Sequence, residues 1–198
     1  MKNVIMQFKY IFFSIPRLIR IFLIRVIICF TIWKFVYHLF LLPIRFPDKP
    51  LTIITTNISA SIYKKFYPNN SISVVQMKDY KFYEEGIDHA RIFKDGILII
   101  GATDGCNELE LFVLFIGFLI CIPFVKFARV IKYAIIGLSI IFVLNISRVV
   151  ALGFLHLYYN QYFDIAHHYV FKLIIYSIVF LIWMKFVKKS NLSYEKTT

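Results

Sequence analysis

Four side chains in the C-terminal half of the chain have types that together could catalyse acyl transfer: Cys106, Arg148, His167 and His168. A cysteine thiolate is a strong nucleophile, and a neighbouring imidazole can accept its proton and later protonate a leaving amine. A guanidinium offers fixed N–H donors to the oxyanion that develops during acyl transfer. The residue types therefore indicate a cysteine-dependent reaction, provided that the fold brings these side chains together.

The simpler explanations of these residues stay open at the level of sequence. A cysteine near a membrane helix is usually a small apolar filler, which describes Cys29 and Cys121 better than Cys106. An arginine inside a spanning helix costs ~2.5–3.5 kcal/mol to insert, so Arg148 could equally be a structural residue that pairs with Asn145 or with a carboxylate. A histidine pair at a helix start is more often interfacial than catalytic.

A metal site is the other chemistry that these residue types allow. Neighbouring helical residues point roughly 100° apart, so we expect only one of His167 and His168 to face the other helices. A zinc site from Asp104, Cys106 and one histidine would lack the tight ligand spacing of such sites. We therefore expect no metal and no cofactor.

The composition indicates a membrane protein. Of the 198 residues, 60% are hydrophobic and 17% are charged, whereas about a quarter of the residues in a soluble domain are charged. This excludes an ordinary cytosolic globular protein and a disordered chain, and the spacing of the three cysteines excludes a disulfide scaffold. Apolar segments predict about four transmembrane helices, approximately at residues 21–42, 109–125, 133–157 and 169–187.

The distribution of charge predicts the orientation of these helices. The net charge is +12, but residues 43–110 carry nine acidic and eight basic residues, and the basic excess flanks the other helix ends. The positive-inside rule then puts both termini in the cytoplasm and residues 43–108 outside. In this topology Cys106, Arg148 and the histidines share the outer face of the membrane. The basic excess orients helices, so we expect no nucleic acid as a partner.

Residues 43–108 predict a small extracytoplasmic α+β subdomain. Apolar residues at four-residue spacing over residues 53–66 predict an amphipathic helix on the membrane surface. Residues 71–77 alternate, and residues 90–100 predict a β-hairpin around Lys94-Asp95-Gly96. Together these segments predict a short antiparallel sheet.

The order of a cysteine, an arginine in the next helix and a histidine at the start of the following helix resembles the exosortase/archaeosortase family of membrane transpeptidases, most closely the short exosortase F type. The resemblance covers roughly residues 53–187. It rests on Asp104-Gly105-Cys106-Asn107, Asn145-x-x-Arg148 with its Val-Val-Ala continuation, Tyr158-Tyr159, Asp164, His167-His168-Tyr169-x-Phe171 and Tyr176-x-x-Val179-Phe180-x-x-Trp183.

This resemblance implies Cys106 as the nucleophile, Arg148 as a transition-state stabiliser or acid partner, and one histidine as the base. We favour His168, which lies one residue deeper in its helix, and His167 is the other candidate. The chain departs from the family in having about four helices, where members often have eight. It also carries Glu108 after Cys-Asn, where a small residue is usual.

The sequence thus predicts a single exosortase-like membrane domain over residues 1–198, which acts as a cysteine protease/transpeptidase in the cytoplasmic (inner) membrane with its active site facing outward. The partners implied are exported proteins with a C-terminal sorting signal, an acceptor for the cleaved chain, the lipid bilayer and a small membrane partner. The alternative is a non-enzymatic membrane assembly or scaffold protein whose outer subdomain binds a partner.

Overall fold

The fold is mainly helical, with one small sheet between the second and third helices. The structure, a computed structural model, describes residues 15–76 and 89–194. Helix α1 spans Arg17–Val36 and continues into a π-helical turn, Tyr37–Leu41, and helix α2 spans Asp48–Phe66. The later helices are α3 (Leu109–Cys121), α4 (Phe127–Tyr158) and α5 (Phe171–Tyr194). A run of short helical turns from Asn160 to Val170 precedes α5.

Two helical segments in the described part of the chain are long and apolar enough to cross a membrane. They are Phe127–Tyr158, with 32 residues, and Asn160–Lys189, with 30. Helix α3 is apolar but has 13 residues, which at 1.5 Å per residue is about 20 Å, shorter than the ~30 Å hydrocarbon core. Helix α1 is longer but carries four basic residues: Arg17, Arg20, Arg25 and Lys34.

All four predicted helices are present, but their ends differ from the predicted ones. Helix α1 begins at Arg17, before the predicted position 21, and α4 begins at Phe127, before 133. Helix α3 begins at Leu109 as predicted but ends at Cys121, before 125. Ile122 is already extended there, at φ −67° and ψ 121°, because the residue before Pro123 is driven out of the helical region.

The predicted sheet is confirmed. Its strands are β1 (Ile72–Gln76), β2 (Ala90–Lys94) and β3 (Ile97–Ala102). They pair antiparallel in the order β1-β2-β3. Strands β2 and β3 are joined by Asp95 and Gly96, which have φ of 50° and 82°. Positive φ at both positions is typical of a two-residue hairpin turn. Position 77, predicted as the end of the first strand, lies outside the described residues.

Helix α2 forms where the sequence predicted an amphipathic helix, and its polar face is the buried one. The buried residues are mostly hydroxyl-bearing or small: Thr52, Thr55, Thr56, Ser59, Ala60 and Tyr63. Ile54, Ile58 and Phe66 of the apolar stripe are exposed. The helix packs against α4 at Gly153, where an added Cβ would lie 2.0 Å from the Tyr63 hydroxyl oxygen. The Tyr63 hydroxyl donates to the Val150 carbonyl oxygen at 2.6 Å.

Two apolar cores lie one above the other along α4. One core joins the sheet, α2 and the later part of α4, and includes Tyr63, Ile92, Ile99 and Val149. The other joins α3, α4 and α5, and includes Phe115, Leu119, Ile141, Ile175 and Phe186. Asn145 and Arg148 lie on α4 at the boundary between the two cores. The polar residues of the candidate site therefore lie at the junction of the two cores.

Candidate active site

One cavity contains all four side chains that the sequence singled out. It has a volume of about 630 Å³, and Cys106, Arg148, His167 and His168 line it. The residues come from three separate segments: the turn before α3, the middle of α4 and the turn before α5. Arg148 follows Cys106 by 42 positions, and the histidines follow Arg148 by 19 and 20 positions. The fold nevertheless brings all four residues to one cavity.

Cys106 lies in a tight turn immediately before α3. The turn is a single 3-10 turn, Asp104–Cys106, and the Cys106 N–H donates to the Thr103 carbonyl oxygen at 3.0 Å. The Thr103 hydroxyl lies 3.4 Å from the Cys106 sulfur and donates to it. The Oδ1 of Asn107 accepts the N–H of Leu109, the first residue of α3, at 2.9 Å. The turn places the partly exposed thiol at the cavity wall.

A buried polar network holds this turn from behind. The Asp104 carboxylate accepts hydrogen bonds from Arg45 Nε at 2.7 Å and from the Thr52 hydroxyl at 2.8 Å. The Asp104 N–H donates to His89 Nδ1 at 3.1 Å. Asp104 is only 3% exposed, so its charge depends on Arg45, since a buried carboxylate without a partner is costly.

Asn107 connects the same turn to a second buried carboxylate. Its Nδ2 donates to Asp48 Oδ1 at 3.0 Å and to the Asp48 carbonyl oxygen at 3.2 Å. Tyr37 at the end of α1 donates its hydroxyl to Asp48 Oδ2 at 2.9 Å. No pattern in the sequence pointed to these positioning residues, because Asp48 precedes Asn107 by 59 positions and is separated from it by the whole sheet.

Arg148 is buried and pairs with a carboxylate. It is 5% exposed, and its Nη1 donates to Glu108 Oε1. Of the two structural partners that the sequence allowed, the carboxylate is the one that Arg148 contacts. The side-chain amide of Asn145, by contrast, is buried and has no hydrogen-bond partner within the described residues.

Glu108 owes its position to an unusual backbone conformation. Its φ is 60°, in the left-handed region that residues other than glycine and asparagine seldom adopt. Burial raises the pKa of the Glu108 carboxyl, and the adjacent Arg148 guanidinium opposes that rise. The residue that departs from the family pattern in sequence is thus a direct partner of Arg148.

The two histidines lie in a π-helical turn, Ala166–Val170. His167 is half-buried, stacks on Phe163 with ring centroids 5.7 Å apart, and meets His168 edge-on at 4.9 Å. His168 is exposed. Both imidazoles line the cavity, although helical spacing predicted that only one would face the other helices. The buried Nδ1 of His167 has no hydrogen-bond partner in the described part of the chain.

The thiol and the imidazoles share the cavity without a direct contact. Across residues 15–76 and 89–189, no hydrogen bond joins the Cys106 sulfur to either imidazole, and its partner is Thr103. Catalytic hydrogen bonds are often long in an empty site and shorten when substrate binds. The arrangement therefore suits a nucleophile and a base that substrate brings into line.

The cavity wall carries both signs of charge. The carboxylates are those of Asp48, Asp104, Glu108 and Glu110, and the cations are Arg148 on α4 and Lys172 on α5. Within the described residues, no group of three or more histidine, cysteine, aspartate and glutamate side chains is placed to hold a metal ion.

Comparison of the chain with protein-family models, with curated proteins and with solved structures finds no match.

Proposed function

We propose that the protein is a membrane-embedded cysteine protease/transpeptidase of the exosortase type, which cleaves C-terminal sorting signals of exported proteins and transfers the cleaved chain to an acceptor. The observation that carries this proposal is the meeting of Cys106, Arg148, His167 and His168 in one cavity. The resemblance in sequence supplies the substrate class, and the cavity supplies the chemistry.

The reaction follows from the roles that these side chains can take. An imidazole accepts the Cys106 proton, and the thiolate sulfur attacks the substrate carbonyl carbon. Arg148 donates N–H groups to the oxygen that becomes negatively charged. The carbon–nitrogen bond breaks as the imidazolium protonates the leaving amine, and a thioester remains on Cys106. An acceptor nucleophile then attacks the thioester and releases the thiol.

We propose His167 as the base, whereas the sequence led us to favour His168. His167 is half-buried and stacks on Phe163, so its ring is held in place at the cavity. His168 lines the same cavity but is exposed.

We also propose that α1 and α3 cross the membrane beside α4 and α5, with both termini in the cytoplasm. Helix α1 packs along α3, with contacts of Phe22 and Phe30 to Phe118 at 6.1 and 5.9 Å between ring centroids. Many large apolar side chains of α1 are exposed, among them Ile27, Ile28, Ile32 and Phe35. Lipid is the environment that such a surface suits.

The proposed activity is tested by removing the nucleophile. The Cys106→Ala protein should leave a co-expressed exported protein with a C-terminal sorting signal at its full length, whereas wild type shortens it. Cys121→Ala is the matched control, because Cys121 is buried away from the cavity. Trapping the substrate as a thioester on Cys106 would identify the intermediate. Unchanged processing by Cys106→Ala would contradict the proposal.

One observation favours the second candidate function, a membrane assembly or scaffold protein. Arg148 already has a carboxylate partner in Glu108, as a purely structural arginine would. For a scaffold, Cys106→Ala should have no effect, whereas disruption of the hairpin formed by β2 and β3 should abolish function. The two variants therefore separate the two candidates.

A further inference from the structure

The contact between Glu108 and Arg148 does more than neutralise a buried charge. Arg148 donates Nη1 to Glu108, and its other N–H groups have no partner among the residues that the structure describes. Arg148 is 5% exposed, so the N–H groups that stay available are those at the cavity. A guanidinium held at one nitrogen keeps its remaining donors in a fixed fork.

Glu108 also lies next to the nucleophile in the chain. It is two residues after Cys106 and directly before α3, and both side chains line the cavity. Because the two side chains are close in the chain and share the cavity, we expect the Glu108 charge to act on the thiol as well as on Arg148. The other charged or titratable side chains that line this cavity are Tyr37, His38, Asp48, His89, Asp104, Glu110, His167, His168, Lys172 and Tyr176.

We propose that Glu108 is a positioning residue, whose carboxylate fixes the Arg148 guanidinium for oxyanion binding and whose negative charge offsets that of Arg148 beside Cys106. This inference rests on the proposed function for its catalytic meaning, but the pairing itself is testable without any substrate. The comparable arrangement in hydrolases is a carboxylate that holds a neighbouring group in its working orientation.

The test measures the alkylation rate of Cys106 by iodoacetamide against pH, in the full chain with Cys29→Ala and Cys121→Ala so that one thiol remains. Glu108→Gln leaves the Arg148 charge without its partner, which favours the thiolate. The midpoint of the rate profile should move to lower pH by about one unit, and the rate below the midpoint should rise about three- to tenfold. The plateau at high pH should not rise, because a less basic thiolate is a weaker nucleophile.

Three further variants make the result specific. Arg148→Gln should move the midpoint to higher pH, and the Glu108→Gln/Arg148→Gln double variant should return it close to the starting value. Glu110→Gln removes a carboxylate that is 76% exposed and paired with Lys34. The midpoint of the alkylation profile should move less in this variant, because water screens the Glu110 charge. A raised plateau in Glu108→Gln would show greater access to the thiol, and would overturn the proposal, as would an unmoved midpoint.

Processing of a sorting-signal protein gives the second readout. Glu108→Gln should lower its maximal rate at least tenfold with little change in the substrate concentration at half-maximal rate, although its thiol reacts faster with iodoacetamide. Damage to the fold would also expose the thiol and slow processing, but it would raise the alkylation plateau, whereas loss of the Glu108 charge should not. If Cys106→Ala leaves processing unchanged while Glu108→Gln still moves the alkylation profile, the proposed function fails and the pairing stands. If the alkylation profile does not move while processing still depends on Cys106, the proposed function stands and the role of Glu108 fails.

Discussion

At the scale of single residues, the site combines groups of known chemistry with two unusual local features. The known groups are a partly exposed thiol, two imidazoles and a buried guanidinium that line one cavity. The unusual features are the left-handed backbone at Glu108 and the buried ring nitrogen of His167, which has no hydrogen-bond partner among the described residues. Strained backbone and unsatisfied polar atoms are concentrated at functional sites in proteins. Both features lie at the cavity that we propose as the active site.

The two histidines give the first residue-scale prediction. His167→Gln should lower the processing rate by 10²–10⁴-fold, the usual contribution of a general base, because glutamine keeps a polar group but does not take up a proton. His168→Gln should retain most of the activity, because His168 is exposed. The measurement is the initial rate of sorting-signal cleavage at a fixed enzyme concentration. The opposite ranking of the two variants would assign the base to His168.

The carboxyl of Glu108 gives a prediction about pH. Burial raises its pKa above the ordinary 4.5, so the folded state holds this proton more tightly than the unfolded chain does. The contribution of Glu108 to stability is therefore greatest below pH 4.5 and falls as the pH rises through the raised value. Thermal unfolding in detergent should show a smaller loss of stability over this range in Glu108→Gln than in wild type. An identical pH dependence of the two proteins would contradict the shift.

At the scale of elements, hydroxyl and small side chains let α2 approach α4 closely. The sequence predicted α2 from its apolar spacing, and the helix is present, but its buried face carries threonine, serine and alanine. The reason is geometric, since Gly153 on α4 leaves room for the Tyr63 ring, and Tyr63 is fully buried. An apolar pattern identifies a helix, but it does not show which face a neighbouring helix will cover.

This close approach predicts the effect of a single methyl group. Gly153→Ala would place a Cβ 2.0 Å from the Tyr63 hydroxyl oxygen and 2.7 Å from Ile99 Cγ2. The free energy of unfolding should fall by about 1–3 kcal/mol, as for other overpacked cores. Tyr63→Phe removes the nearest atom, so the Tyr63→Phe/Gly153→Ala protein should recover part of the loss beyond additivity. Additive effects of the two substitutions would contradict the contact.

The elements also show which parts of the site could be predicted from sequence. The helices and the hairpin follow local patterns, and the order Cys106, Arg148 and the histidines follows from helix ends that share one layer. The network behind Cys106 could not be predicted, because Arg45 and Thr52 reach Asp104 across more than 50 positions. Such pairings depend on how α1, α2 and the sheet pack, which no short-range pattern encodes.

At the scale of the whole molecule, charge and apolar surface describe the same arrangement. Residues 43–110 are nearly neutral at nine acids and eight bases, so the basic excess belongs to the rest of the chain. The two membrane-length segments, Phe127–Tyr158 and Asn160–Lys189, are mostly exposed. Only 39% and 17% of the most apolar 18-residue stretch in each segment are buried. A lipid environment accounts for that exposure, and the positive-inside rule is the basis on which we propose that the cavity faces outward.

This topology is tested by the accessibility of single cysteines at two exposed lysines. In a background with the three native cysteines replaced by alanine, Lys64→Cys on α2 should react with a membrane-impermeant maleimide in intact cells. Lys188→Cys at the end of α5 should react only after the membrane is permeabilised. Both lysines are exposed, so burial does not explain a difference between them. Labelling of Lys188→Cys in intact cells would contradict a cytoplasmic C-terminus, and with it the placement of the cavity at the outer face, because α5 connects the two.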